Sequence, residues 1–248
     1  MKFISVIIPY YQKKKFLGKA INSVLRQSYK RFEIIVVYDD PDKNYLKFLI
    51  SKYKKNKNVK FVINKKNIGA GLSRNIGIKK SRGYYIAFID SDDIWEKNKL
   101  KDQVSFMKKK NIDISHTSYK IIDKNSQIIG RRTARKKLSY MSLLKSCDIG
   151  LSTVMIKKKV IFNKFKFPDL KTKEDYVLWL TLSKKRYIFH GLNKYLVRWR
   201  KLDNSLSSSI IQKIKDGYMV YYKYMDYNLV ISFFCLFRLS LNYLIKNK

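Results

Sequence analysis

Three aspartates occupy four positions directly after an apolar run. The run spans residues 84–89, and Asp90, Asp92 and Asp93 follow it. Acids are scarce in this chain, which has 18 Asp and Glu against 55 Lys and Arg and a formal net charge of +37. A strand ending in Asp-x-Asp places two carboxylates at the C-terminal edge of a sheet, where their hard oxygen atoms suit Mg²⁺ or Mn²⁺. The pattern predicts an enzyme that handles a metal-bound phosphate compound.

The same acids also have a purely structural interpretation. Aspartate at the start of a helix caps the first turn and complements the helix dipole. A lysine-rich segment with helical periodicity, residues 99–110, follows the cluster closely. Taken alone, the cluster is therefore either a metal site or a helix cap.

Strands and helices alternate through the first hundred residues. Apolar runs predict four strands, at residues 4–8, 32–37, 59–63 and 84–89. A period of 3.6 residues predicts three helices, at residues 16–29, 45–53 and 71–80. This alternation indicates an α/β fold with a mostly parallel central sheet flanked by helices. Ligands bind beyond the C-terminal ends of such strands, so Pro9, Asp39 and Asp90 are expected to meet at one edge.

The pattern is less regular after residue 100. Strands are expected at residues 112–122 and 153–156, and a basic loop at 131–137. Helices are expected at residues 99–110, 139–145 and 174–184. A tyrosine-rich helical stretch and a strongly apolar segment end the chain, at residues 210–227 and 229–245. We expect residues 1–209 to form one domain and residues 210–248 to form a helical extension.

The positive charge has two explanations. Lysine is spread along the whole chain, as a genome-wide bias would produce, and a basic surface also attracts nucleotides, nucleic acid or an anionic membrane. The N-terminal segment is typical of a strand and has no small-residue cleavage site, so no signal peptide is expected. Cys147 and Cys235 lack metal or redox spacing and are expected to be buried thiols of a reducing compartment. We therefore expect a cytoplasmic protein.

Five ordered motifs make residues 3–209 similar to the family 2 glycosyltransferases. They lie at residues 5–11, 33–42, 67–77, 84–95 and 172–179. The resemblance implies a GT-A fold and an inverting transfer from a nucleotide-diphosphate sugar.

The first two motifs resemble the nucleobase pocket of the family. The resemblance implies that Pro9 shapes the turn, that Tyr11 packs against uracil, and that Asp39 accepts the N3–H of the base. Gln12 stands where the family usually has asparagine, and Tyr38 takes the place of its first acid. An Asp-rich turn is the structural alternative for Asp39.

The third and fourth motifs resemble the diphosphate site of the family. Arg74 stands where a dinucleotide fingerprint would have its third glycine, which argues against a Rossmann site. The resemblance implies that Arg74 pairs with phosphate or braces the Asp-rich loop, with a purely structural arginine as the alternative. It also implies that Asp92 binds the metal that bridges the two phosphates. Asp90 and Ser91 would then lie near the ribose and the metal, and Asp93 would cap the next helix.

The fifth motif is a Glu174-Asp175 pair expected to open a helix. The resemblance implies that Asp175 is the catalytic base, which deprotonates the acceptor hydroxyl. Such a pair also occurs as a simple cap and dipole pair. A weaker sixth similarity, at residues 199–207, has Leu202 in place of a common histidine, and it implies that Arg200 reaches the diphosphate. The Gln-x-x-Arg-Trp motif of processive synthases is absent, so one sugar per encounter is expected.

Together these motifs imply an inverting hexosyl- or N-acetylhexosaminyl-transferase that uses Mg²⁺ or Mn²⁺. It would move a single sugar from a UDP-sugar to a glycan or lipid-linked acceptor in cell-surface polysaccharide or lipopolysaccharide biosynthesis. Segment 229–245 would touch the anionic inner face of the plasma membrane, close the domain or join a dimer. Two other functions stay open: a basic nucleic-acid-binding module and an inactive relative that acts as a scaffold. Carboxylates at the sheet edge disfavour the first, so no nucleic-acid partner is expected.

Overall fold

The structure is a computed structural model and describes residues 2–202 and 210–246. Its first part follows the predicted alternation of strands and helices. The strands are β1 Ile4–Tyr10, β2 Phe32–Tyr38, β3 Val59–Ile63 and β4 Tyr85–Phe88. The helices are α1 Lys14–Leu25, α2 Lys43–Tyr53 and α3 Ala70–Lys80.

The second part adds shorter strands and the remaining helices. The strands are β5 Ile94–Trp95, β6 Ile114–Ile122, β7 Ile128–Arg132, β8 Lys137–Leu138, β9 Met155–Lys157 and β10 Phe189–Arg200. The helices are α4 Lys99–Lys109, α5 Tyr140–Lys145, α6 Lys158–Ile161, α7 Glu174–Lys184, α8 Ile210–Met219 and α9 Leu229–Lys246. A 3₁₀ turn spans Leu151–Thr153, and a π turn spans Val220–Tyr224.

The described strands form one sheet in the order β3-β2-β1-β4-β9-β6-β10-β5, with β7 beside β6 and β8 beside β10. Strands β3, β2, β1 and β4 are parallel, and so are β6 and β10. Strand β9 is antiparallel to both β4 and β6, so β6 points the same way as β4. The C-terminal ends of β1, β2, β4, β6 and β10 therefore share one edge. This confirms the α/β fold with a mostly parallel sheet flanked by helices.

Alternate residues of the central strands face two apolar cores. In β1, Val6 and Ile8 pack into one core with α1, α2 and α4, whereas Ile7 packs into the other with α3 and α7. Burial on both faces explains why these strands are continuous apolar runs. The C-terminal extension joins the second core, through the four residues Val220, Tyr221, Met225 and Leu239.

Sequence patterns missed four strands, namely β5, β7, β8 and β10, and misjudged the burial of one cysteine. The pairing of β10 with β6 shifts register between Leu192 and Tyr195 and again before Val197, so the strand lacks the strict alternation that identifies strands. The expected basic loop at 131–137 overlaps the ends of β7 and β8, which pair with β6 and β10. Cys235 is partly buried but Cys147 is exposed, so the prediction of two buried thiols is wrong for Cys147.

Gly77 lets α3 lie directly on β1, which makes it a test of this packing. A Cβ atom at Gly77 would lie 2.5 Å from Cγ2 of the buried Ile7. We expect Gly77→Ala to lower the free energy of unfolding by about 1–3 kcal/mol, the usual cost of overpacking a core. Urea denaturation checks this value. The matched control is Gly130→Ala, where the nearest atom would lie at 3.4 Å. An equal loss of unfolding free energy in both variants would show that close packing of α3 on β1 is not the cause.

Candidate active site

The end of β1 supplies the first part of the site. Pro9 and Tyr10 stay within the strand, since Pro9 pairs with Val37 and is buried. Tyr11 follows, with 39% of its surface exposed. The main-chain N–H of Asp39 donates to the carbonyl of Tyr10 at 2.9 Å. The structure therefore places Pro9 and Tyr11 beside Asp39, at the edge where the sequence predicts the nucleobase pocket.

Asp39 is buried and holds the loop between β3 and α3. Its Oδ1 accepts from the Asn64 side chain at 2.7 Å and from the N–H of Ile68 at 3.0 Å. Its Oδ2 accepts from the N–H of Gly69 at 2.9 Å. The carboxylate thereby fixes the loop that leads into α3. Its predicted contact with uracil stays a prediction, because these donors already engage both oxygen atoms.

The three aspartates after β4 have different environments. Asp93 is buried, and accepts from Ser152 Oγ at 2.5 Å and from the N–H of Arg200 at 2.8 Å. Burial, with the charges of Asp92 and Asp90, raises the pKa of Asp93 well above its usual range. Asp93 precedes β5 rather than a helix, so the prediction that it caps the next helix is wrong. Ser91, which lies between Asp90 and Asp92, is also buried.

Asp92 faces the loop after β1. Its carboxylate lies 3.3 Å from the ammonium group of Lys13, and both side chains are partly exposed. Burial and then the nearby Asp90 raise the pKa of Asp92, while Lys13 opposes them. A second cation here would relieve the repulsion between the two carboxylates.

This environment fits a divalent cation. Asp92 and Asp90 offer hard oxygen ligands of the kind that Mg²⁺ and Mn²⁺ prefer. The described residues contain no cluster of three or more acidic, histidine or cysteine side chains that would enclose an ion. An open site with one or two carboxylates is the usual arrangement when substrate phosphates complete the coordination.

Arg74 connects the aspartate cluster to α7. Its guanidinium is 4% exposed and donates to Asp90 Oδ1 at 2.8 Å and to Glu174 Oε1 at 2.5 Å. It also lies over the Phe167 ring, 5.4 Å from the centroid. Burial lowers the pKa of Arg74, but Asp90 and Glu174 outweigh this and raise it above its ordinary value. The structure therefore gives Arg74 the brace role; its binding of the nucleotide sugar stays a prediction.

Asp175 is the second residue of α7, directly after the Glu174 that Arg74 holds. Burial raises the pKa of Asp175 to about 7, and the charge of Glu174 adds to this effect. Arg74 and the N–H of Tyr176 oppose it, and Asp90 contributes in the raising direction. A carboxyl group with a pKa near neutrality is suited to accept and release a proton at physiological pH.

Two further residues shape the site: Ser152, which carries no recognisable sequence signal, and Arg200, which belongs to the sixth motif. Ser152 Oγ accepts from the N–H of Asp90 at 2.9 Å and donates to Asp93, so it joins both ends of the aspartate turn. Arg200 donates to the carbonyls of Asp92 and Asp123 at 2.9 and 2.6 Å. It therefore braces the backbone instead of pointing free toward a diphosphate. The rest of the sixth motif, residues 203–207, lies outside the described residues.

A cavity of about 620 Å³ lies beside Lys13, the partner of Asp92, and Asp42, which pairs with Lys14, is part of its lining. Its lining includes Lys13, Lys14 and Lys15 after β1 and Asp40 after β2. The lysines were not singled out from the sequence, because lysine is common along the whole chain. Lys13 links this cavity to the aspartate cluster through its ion pair with Asp92. An anionic ligand at this edge would meet several cationic side chains.

Comparison with known sequences identifies close relatives. The family "Glycosyl transferase family 2" matches residues 5–170. The chain is 37% identical over 214 residues to UDP-Glc:alpha-D-GlcNAc-diphosphoundecaprenol beta-1,3-glucosyltransferase WfgD of Escherichia coli, covering 86% of this chain and 82% of WfgD. It is 32% identical over 220 residues to TuaG of Bacillus subtilis (strain 168), a glycosyltransferase assigned by name to teichuronic acid biosynthesis, covering 88% and 86% of the two chains.

Solved structures show the same fold. Residues 1–349 of S. aureus TarS in complex with UDP-GlcNAc superpose with a TM-score of 0.69 and 25% identity, over 88% of this chain and 64% of that one. A mannosyltransferase from Pyrobaculum calidifontis, in complex with GDP-Man and Mn²⁺, gives a TM-score of 0.68 at 12% identity, over 92% and 65%. The fold is therefore GT-A, and divalent metal use occurs within it. The family match and the sequence relatives show that the chain belongs to glycosyltransferase family 2.

Proposed function

We propose that this glycosyltransferase moves a single sugar from a UDP-sugar to a lipid-linked or glycan acceptor, with inversion and with a divalent cation. The observation that carries this proposal is the bridge from Asp90 through Arg74 to Glu174. It holds the aspartate cluster, which suits a metal and a diphosphate, beside the start of α7, where Asp175 lies. One site thereby contains both a group for the leaving diphosphate and a base for the acceptor.

Each part has a defined chemical task in this proposal. Asp175 accepts the proton of the acceptor hydroxyl as its oxygen attacks the anomeric carbon from the face opposite the diphosphate. Asp92 and Asp90 hold the cation, which neutralises charge on the leaving group when bound. Tyr11 and Asp39 lie at the expected position of the uracil, and Ser91 near the ribose. Arg74 keeps the carboxylates of Asp90 and Glu174 at a fixed separation.

The relatives support the choice of donor and acceptor. TarS was solved with UDP-GlcNAc, and WfgD is named for UDP-Glc and a GlcNAc-diphosphoundecaprenol acceptor. A hexosyl or N-acetylhexosaminyl group on UDP is therefore the donor we propose. TuaG, named for teichuronic acid biosynthesis, supports a place in cell-surface polysaccharide or lipopolysaccharide assembly.

The outward face of α9 supports a contact with an anionic bilayer at the cytoplasmic face of the plasma membrane. Ser232 and Leu239 face the protein and are buried. The opposite face exposes large apolar side chains, namely Leu229, Val230, Ile231, Phe233, Phe234, Phe237, Leu241 and Ile245. Residues 227–248 contain no Asp or Glu, so the charge of this helix suits anionic lipid.

The geometry of α9 favours a position in the plane of the interface. No described helix is long and apolar enough to cross a bilayer. Arg238 is exposed on α9, and Lys145 is exposed where its carbonyl accepts from Asn242 at 2.7 Å. Apolar side chains flanked by basic ones are typical of helices that lie on anionic membranes. A lipid-linked acceptor would then be presented at the same surface.

Binding of metal and donor at the proposed site should change the melting temperature of the protein. We expect UDP with Mn²⁺ to raise the melting temperature of the wild type, because a ligand bound only to the folded state stabilises it. Asp92→Asn should remove the Mn²⁺-dependent part of this shift. Asp102→Asn, on α4 and paired with exposed Lys194, is the matched control and should keep it. No shift with UDP, together with salt-sensitive oligonucleotide binding, would favour the nucleic-acid alternative.

If Asp175 is the catalytic base, its substitution should lower kcat without weakening nucleotide binding. Asp175→Asn should keep UDP binding and lower kcat by about 10²–10⁴-fold, the usual contribution of a general base. Kinetics and UDP titration on the same protein check both values. Normal UDP binding with no transfer by the wild type toward lipid-linked or glycan acceptors would instead favour an inactive scaffold.

The raised pKa of Asp175 predicts the pH dependence of the wild type. Below its pKa of about 7 the carboxyl group is protonated and cannot act as a base. We therefore expect kcat to increase with pH up to about this value and then to level off. The charged groups that act on Asp175 are Glu174, Arg74 and Asp90. A kcat that is already maximal about two units lower would contradict Asp175 as the base.

The membrane contact predicts co-sedimentation with vesicles. The wild type should bind phosphatidylglycerol-containing vesicles and not pure phosphatidylcholine, with less binding at high salt. Phe234→Ser combined with Phe237→Ser should abolish this binding. Phe48→Ser, which changes an exposed phenylalanine on α2, should not. Unchanged vesicle binding in the double variant would show that the exposed face of α9 does not contact the bilayer. A dimeric wild type that becomes monomeric in the double variant would show that α9 joins two copies of the chain instead.

A further inference from the structure

The segment that leads into α7 is fixed at its beginning by α3. Asn75 donates to the carbonyl of Phe167 at 2.8 Å and accepts from the N–H of the same residue at 2.9 Å. At Gly71, a Cβ atom would lie only 2.8 Å from the carbonyl oxygen of Pro168. The backbone of residues 167–168 therefore lies directly against α3. Its position is coupled to that of Arg74, on the same helix.

The end of this segment is held from the other side by Asp216 of α8. Asp216 is 4% exposed, and its Oδ2 accepts from the N–H of Thr172 at 2.9 Å and from Thr172 Oγ1 at 2.8 Å. Its Oδ1 accepts from Gln212 Nε2 at 2.8 Å. Hydrogen bonds to a charged acceptor are stronger than neutral ones. Thr172 is thereby tied to the C-terminal extension, 44 positions later in the chain.

The first turn of α7 depends on what holds Thr172. Lys173, the next residue, has φ = +63° in the left-handed region, which is unfavourable for a side chain without a constraint around it. The carbonyl of Lys173 accepts from the N–H of Val177 at 3.1 Å, and no side chain caps the helix. The direction in which Glu174 and Asp175 leave the backbone is therefore set by Thr172 and Lys173.

Close packing adds a second constraint at the same point. At Gly217, next to Asp216, a Cβ atom would lie 2.8 Å from Cδ1 of Leu236 and 3.5 Å from Cε of Lys173. Helix α8 is therefore in contact with α9 on one side and with Lys173 on the other. The extension that begins at residue 210 reaches the residues directly before Asp175.

We infer that Asp216 is a positioning residue for the catalytic base, so that the C-terminal extension completes the active site. The inference rests on the proposed function, in which Asp175 is the base. Asp216 acts through Thr172 and Lys173 and does not itself touch the substrate. Of the groups proposed to bind the donor, Asp39 and Asp92 lie on other elements, and Asp90, which Arg74 links to Glu174, is also held through its N–H by Ser152. Loss of Asp216 should therefore lower kcat and leave the KM for the UDP-sugar unchanged.

The kinetic test compares three variants of the full-length chain. Asp216→Ala should lower kcat at least tenfold with the donor KM within twofold of the wild type. Asp216→Asn keeps an acceptor oxygen for Thr172 and should recover most of kcat. Asp226→Asn removes the same charge from an exposed residue of the same extension and should match the wild type. Wild-type kcat in Asp216→Ala, or a parallel loss of kcat and donor affinity, would overturn the inference.

Hydrogen–deuterium exchange tests, without using activity, whether Asp216 fixes Thr172 and the start of α7. In Asp216→Ala, amides of residues 172–177 should exchange at least tenfold faster, while those of β1, β2 and β4 should exchange as in the wild type. Thr172→Val, which removes only the hydroxyl donor, should give a smaller change at the same amides. Unchanged exchange at residues 172–177, or faster exchange throughout the sheet, would contradict a local positioning role. A wild type without turnover would refute the proposed function, and the exchange result would still decide whether Asp216 holds the loop.

Discussion

A single buried guanidinium, that of Arg74, joins the two halves of the candidate active site. Moving a charge out of water costs on the order of several kcal/mol, so a side chain that is 4% exposed must have charged partners. Arg74 has two, Asp90 after β4 and Glu174 at the start of α7, which are separated by more than eighty positions in the chain. The planar fork of arginine can bind both at once, whereas a lysine ammonium is a point charge. Arg74 therefore links the aspartate cluster directly to the start of α7.

The three aspartates are tolerated together because each has different partners. Asp93 is enclosed by Ser152 and the backbone of Arg200 and is purely structural. Asp90 is held by Arg74. Asp92 is paired only with the partly exposed Lys13 among the ion pairs of the described residues. Because a flexible lysine is displaced more readily than a buried hydrogen-bond network, Asp92 is the carboxylate that suits an exchangeable metal. The clustering of acids in a strongly basic chain thus has both a folding and a chemical explanation.

Sequence patterns predicted the parts of the molecule that depend on local composition. Strands β1, β2 and β4 are buried on both faces, so their apolar runs are unmistakable. Strand β10 was missed because its register shifts disrupt alternation. The cap expected at Asp93 was wrong because β10 pairs with β5 directly after it, a contact between distant segments. Arg74 as a brace was one of three interpretations, beside a phosphate ligand and a purely structural arginine, and only the structure shows Glu174 opposite Asp90. Asp216 carries no motif, and its importance appears only when Thr172 is found beside it.

The proposed function requires that Asp92 with a metal, the Arg74 brace and the base Asp175 form one active site. A crystal structure of the protein with UDP and Mn²⁺ tests it most directly. We expect Mn²⁺ bound to Asp92 and both phosphates, uracil between Tyr11 and Asp39, and Arg74 still paired with Asp90 and Glu174. Asp175 should face the open space beyond the second phosphate, where the sugar would lie. A nucleotide bound away from this edge, or Arg74 released from both Asp90 and Glu174, would contradict a single active site built on this bridge.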